Sequence, residues 1–80
     1  MRVAIVGQGY VGLPLAVAAA EVGHTVVGID IDQKRVGLLN QGTSPVADIS
    51  DSALTAVISS GDYKASNSYA SIETDRKSVV

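Results

Sequence analysis

The hexapeptide Gly7-Gln8-Gly9-Tyr10-Val11-Gly12 constrains this chain more than any other stretch of it. It places glycines at its first, third and sixth positions, directly after the apolar run Val3-Ala4-Ile5-Val6. Consecutive rather than alternating apolar residues read as a strand covered on both faces, as in a parallel sheet, so Met1 to Val6 is expected to be such a strand. Tyr10 to Val22 then reads as a helix, with Leu13, Ala16, Val17 and Ala20 at the spacing of a single face. Pro14 fits its first turn, where the backbone nitrogen has no helical partner to lose, and Gly23 is its stop. Thr25 to Asp30 is a second, β-branched run. Two strands joined through a helix lie parallel in one sheet, which makes the opening a strand–helix–strand unit.

Further along, Asp32 is placed to cap a helix from Gln33 to about Asn40, with Val36 and Leu39 facing inward and Gly42 ending it. Thr43 to Asp48, with Pro45 inside it, reads as a loop. Ser50 or Asp51 caps a third helix carrying Leu54, Val57 and Ile58 and closed by Gly61. Tyr63 to Asn67 is a short strand, and Ser68 caps a helical turn through Ile72.

Composition removes several function classes. A net charge of −2 leaves no basic surface for nucleic acid, and the absence of cysteine removes thiolate metal sites and a cysteine nucleophile from these residues. The opening apolar stretch is broken by Gly7-Gln8-Gly9 and is too short to span a bilayer, so no membrane is expected as a partner. Asp48, Asp51 and Asp62 lack metal-ligand spacing, and no metal is expected. His24 follows a helix-ending glycine and belongs to a surface turn.

Glycines alone mark many ordinary turns, but here they lie between a buried strand and a helix. An acidic residue, Asp30, ends the next strand about twenty residues on. Gly7 permits the tight turn, Gly9 lets a pyrophosphate approach the backbone, and Gly12 lets the helix approach the sheet. The phosphates would then face the unpaired N–H groups and the positive dipole end of the helix. Asp30 is placed to accept hydrogen bonds from the adenosine ribose. Its carboxylate would repel a 2′-phosphate, which favours NAD over NADP.

The stretches "GYVGLPLA", "GIDID" and "LNQG" carry a further signal. Arg2 to about Ile72 resembles the amino-terminal segment of the UDP-glucose/GDP-mannose dehydrogenase family, the nucleotide-sugar 6-dehydrogenases. The resemblance implies an α/β fold, a Rossmann-like doubly wound parallel sheet truncated here after about three strands. It also implies NAD contacts from Gly7, Gly9, Tyr10, Val11, Gly12, Asp30 and Arg35. Tyr10 covering the sheet end and Arg35 as a solvated helix residue stand beside those roles. Family members are cytoplasmic oxidoreductases, homo-oligomeric at full length, that oxidise the C6 hydroxyl of a nucleotide sugar to a carboxylate and serve polysaccharide biosynthesis. The nucleotide-sugar site, the catalytic cysteine and its assisting lysine and asparagine would all lie beyond residue 80, so the fragment alone is expected to be inactive. The loop "SPVADISDSAL" lacks the Pro-Gly-Leu common in UDP-glucose enzymes and resembles the branch acting on UDP-N-acetylhexosamines. UDP-glucose, GDP-mannose, another Rossmann dehydrogenase and a non-catalytic NAD-binding module remain as alternatives.

The family continues after "SYASI" into an apolar strand ending in Thr-Pro, whereas this chain reads "ETDRKSVV". Adjacent Arg76 and Lys77 do not suit a strand covered on both faces. "DRKSVV" is encoded by GATCGGAAGAGCGTCGTG, which resembles a common sequencing-adapter sequence. Residues 1–74 are therefore read as the NAD-binding part and 75–80 as a non-native tail. Without a fourth strand, Arg2 to Val6 would be an exposed apolar edge, and a poorly soluble or partly molten chain is expected.

Overall fold

In the computed structural model, which describes residues 2–68 and 78–79, β1 (Arg2–Val6) leads through α1 (Gly12–Glu21) to β2 (Thr25–Ile29). Two helices, α2 (Gln33–Asn40) and α3 (Asp51–Ser59), precede β3 (Tyr63–Ser66), and Ser78–Val79 form a short β4. The sheet order is β3-β2-β1-β4, and every neighbouring pair is parallel. The helical turn expected from Ser68 to Ile72 lies largely outside the described residues.

Register assigns the two faces. Paired residues of a parallel ladder share a face, so Val3, Val26 and Tyr63 form one row and Ile5, Gly28 and Ala65 the next. These rows carry the main core, into which α1 sends Leu13, Ala16, Val17 and Ala20, α2 sends Leu39, and α3 sends Leu54 and Val57. Ala4, Val27 and Ile29 are buried on the opposite face. Covering both faces explains why β1 and β2 read as apolar runs without alternation.

All three helices end on the same device. The N–H groups of His24, Thr43 and Asp62 donate to the carbonyls of Ala19, Leu38 and Val57, each spanning a glycine with φ between +82° and +99°. Only glycine adopts that left-handed turn without strain, so Gly23, Gly42 and Gly61 fix where each helix stops.

Two expectations need correction. Helix α1 begins at Gly12 rather than Tyr10, because Tyr10 and Val11 form a turn ahead of it. Strand β1 is also not left as an edge. Val3 pairs with Ser78 and Ala4 with Val79. The objection drawn from Arg76 and Lys77 does not reach this strand, which starts one residue later and whose ladder is a main-chain contact.

At the other edge, Asn40 of α2 holds β3. Its Nδ2 donates to the Ala65 carbonyl and its Oδ1 accepts from the Ala65 N–H, both at 2.9 Å. Asp62 and Ser66 turn their carbonyls toward β2, accepting from Val26 and Asp30, so by alternation the main-chain groups of Ala65 point away from the sheet.

Candidate functional site

Gly7 leaves β1 with φ +86° and donates its N–H to the Ile29 carbonyl at 2.6 Å, which ties the turn to the end of β2. A Cβ on Gly12 would overlap the Gly7 carbonyl oxygen, and a main-chain atom cannot swing aside. The close approach of α1 to the loop therefore requires glycine at position 12. At Gly9 a Cβ would meet nothing within 4 Å. It would project into open space in front of the loop, which is where a bound group needs room.

The start of α1 differs from the other helix starts. Asp32 accepts from the N–H groups of Lys34 and Arg35 to cap α2, and Ser50 accepts from Ala53 to cap α3. Helix α1 has Val11 at that position and no side-chain cap. Leu13 donates to the Gly9 carbonyl and Pro14 has no N–H to give, which leaves the N–H groups of Tyr10, Val11 and Gly12 without a hydrogen-bond partner among the described residues. Unpaired amides at the positive end of a helix form an anion site in waiting. Tyr10 and Val11 are 78% and 83% exposed beside these amides.

Asp30 stands beside this loop, immediately after β2, and is nearly buried. Its Oδ2 accepts from the Gln8 N–H at 2.8 Å and from Arg35 Nη1 at 3.1 Å, and its Oδ1 accepts from the Asp32 N–H at 3.0 Å. Burial raises the pKa of its carboxyl, but the two main-chain hydrogen bonds and the Arg35 guanidinium outweigh that effect and hold it below the ordinary carboxylate value. The group is thus an anion with acceptor capacity left on Oδ1, since a carboxylate oxygen takes two donors. Arg35 reaches Asp30 while keeping 37% of its side-chain surface exposed.

Sequence reasoning missed Gln8 and Tyr63. Gln8 is fully buried, and its Nε2 donates to the carbonyls of Ile5 (3.0 Å) and Gly7 (2.9 Å), while its Oε1 accepts from the Tyr63 hydroxyl at 2.9 Å. Burial, with a smaller contribution from the Asp30 charge, pushes the Tyr63 phenol well above its ordinary pKa, so it remains a donor. The available signal was Gly28, which interrupts a β-branched strand at the point where these two side chains meet.

The loop borders two adjoining hollows that share Val6 and Gly7. One of about 420 Å³ is lined by Gly9, Tyr10, Val11, Gly12 and Leu15, and one of about 220 Å³ by Ile29, Asp30 and Ile31. A hollow of about 500 Å³ lies at the opposite end of the sheet, among Arg2, Thr25, Ile58 and Lys64, away from the glycine loop and Asp30. Among the described residues there is no cluster of metal-ligating side chains and no helix long and apolar enough to cross a membrane.

Residues 1–78 match the profile of the UDP-glucose/GDP-mannose dehydrogenase family, NAD binding domain. UDP-glucose 6-dehydrogenase AglM of Haloferax volcanii is 48% identical over 46 residues, 58% of this chain and 11% of that protein. GDP-mannose 6-dehydrogenase of Pseudomonas savastanoi pv. phaseolicola is 37% identical over 71 residues, 88% and 16% respectively. The structure of the UDP-D-ManNAc dehydrogenase from Pyrococcus horikoshii superposes with a TM-score of 0.83 at 35% identity, covering 90% of this chain and 18% of that one. The chain thus spans less than a fifth of the length of these relatives.

Proposed function

Because the chain belongs to the UDP-glucose/GDP-mannose dehydrogenase family, within its NAD binding domain, we propose that it supplies the adenosine and pyrophosphate half of the NAD site in a longer nucleotide-sugar 6-dehydrogenase. The observation that carries this reading is the juxtaposition of the uncapped start of α1 with the anchored Asp30 carboxylate. The amides of Tyr10, Val11 and Gly12 face the pyrophosphate, and Gly9 keeps the space before them clear. Gly7 and Gly12 hold loop and helix together, Asp30 accepts from the ribose hydroxyls, and Arg35 flanks the adenosine. NAD, when bound, supplies the hydride acceptor. The residues of this chain bind and orient it, and the reacting sugar meets residues further along a full-length protein.

Calorimetry on the full-length protein tests the assignment. NAD is expected to bind more tightly than NADP, because the Asp30 carboxylate repels a 2′-phosphate. Asp30→Ala is expected to weaken NAD by about 10- to 100-fold, the worth of hydrogen bonds to a charged group, and to erase the preference. Equal binding of both dinucleotides by the unaltered protein would reject the role given to Asp30.

For the substrate we propose a UDP-N-acetylhexosamine. The loop "SPVADISDSAL" and the likeness to a UDP-D-ManNAc dehydrogenase support this reading. UDP-glucose and GDP-mannose are the competing substrates, given the relatives that act on them, and turnover of the three by the full-length enzyme separates them.

A further inference from the structure

We propose that Gln8 and Tyr63 are positioning residues of the dinucleotide site: the Gln8 side chain, oriented by the Tyr63 hydroxyl, is a strut that aims the glycine-loop amides and the Asp30 carboxylate at the cofactor. The proposal rests on the reading of the loop as the NAD cradle.

The peptide unit between Gly7 and Gln8 is held at both ends. Its carbonyl accepts from Gln8 Nε2 at 2.9 Å, and its N–H donates to Asp30 Oδ2 at 2.8 Å. A peptide plane pinned on both sides cannot rotate, so the direction of the main chain entering Gly9 to Gly12 is set there. The same Nε2 donates to the Ile5 carbonyl, which ties the strut to the end of β1.

Orientation of the amide follows from chemistry. Two carbonyl acceptors at one end are served only by the NH₂ group, so Oε1 faces Tyr63, and the phenol must be the donor. Tyr63 opens β3 and is separated from Gln8 by 55 residues. It reaches the loop because Gly28, in the row between, has no side chain. Every polar atom of the Gln8 side chain is satisfied in a fully buried place, where losing one partner strands another. The loop geometry thus depends on the third strand as well as on the strand–helix–strand unit that contains the loop.

The test uses full-length protein carrying Tyr63→Phe, with Gln8→Met as the second variant and Gly9→Val as a control for the cradle. Tyr63→Phe removes one hydroxyl and leaves Gln8 Oε1 without its donor. The expected result is a rise of about tenfold in the Kd and KM for NAD with kcat and the KM for the sugar nucleotide unchanged, because a misaimed loop weakens ground and transition states alike. ADP should weaken in parallel with NAD, since the defect lies at the phosphates. Unchanged NAD and ADP affinity in Tyr63→Phe, measured well below a lowered melting temperature, would show a purely structural role and overturn the proposal. Should Gln8→Met fail to fold, Tyr63→Phe alone decides. If Gly9→Val leaves NAD binding intact, the cradle reading itself fails; if Gly9→Val abolishes binding and Tyr63→Phe does nothing, only the strut is refuted.

Discussion

Replacing Gly28 by alanine should destabilise the chain, although a glycine in a strand is ordinarily a weak point. Alanine restricts the unfolded chain and on that account stabilises by about 0.4–1 kcal/mol. Against this, the new Cβ would collide with Gln8 Oε1 and stand 2.7 Å from the Tyr63 hydroxyl. Side-chain ends usually give way cheaply, but Gln8 is held by three hydrogen bonds, so yielding here means distorting or breaking at least one of them. Overpacking of this kind costs about 1–3 kcal/mol, and a displaced Tyr63–Gln8 hydrogen bond about 1 more. The net expectation is a loss of about 1–3 kcal/mol. Urea unfolding followed by circular dichroism reads it as a midpoint lowered by about 1–3 M, for a slope near 1 kcal/mol/M. Gly37→Ala is the matched control. Gly37 is exposed within α2 and a Cβ there meets nothing within 4 Å, so the same substitution should raise stability by about 0.5–1 kcal/mol. Gly28→Ala matching or exceeding the unaltered chain would show that the network yields freely, and the argument for a rigid strut would fall with it.

Asp30 predicts an acid limb. Its folded pKa is lowered, so it stabilises the fold above the unfolded value of about 3.9, and that contribution disappears as pH falls through the folded pKa. Urea midpoints of the unaltered chain and of Asp30→Asn should therefore converge below about pH 4 and separate above it; parallel curves across that range would refute the assignment. At the locus, the reading frame is expected to run from Ile72 into an apolar strand ending in Thr-Pro without Asp75 to Val80. Genomic sequence that encodes those residues would reject the reading of them as foreign.

The elements that periodicity and capping chemistry specify were legible. Leu13, Ala16, Val17 and Ala20 are the buried face of α1, Asp32 and Ser50 cap the next two helices, and β1 and β2 run parallel. Gly7, Gly12 and Asp30 come together as their spacing implies, because strand, turn and helix are adjacent in sequence. What escaped was the part made by long-range contacts. Nothing local distinguishes Gln8 from any polar residue between glycines, since its importance lies in a hydroxyl from β3. Asn40 was legible only as the end of a helix. The exposed edge expected at β1 failed for a related reason, because a ladder can be supplied by any main chain that reaches it.

The amide of Asn40 has a consequence for how this molecule meets others. Its carbonyl and amino groups reproduce the donor–acceptor pair that a neighbouring strand would present, and they occupy the outward groups of Ala65. A foreign β-segment seeking to extend the sheet past β3 finds that rung already taken. One side chain thus closes one rung of a border where a bare row of N–H and C=O groups would invite templated pairing.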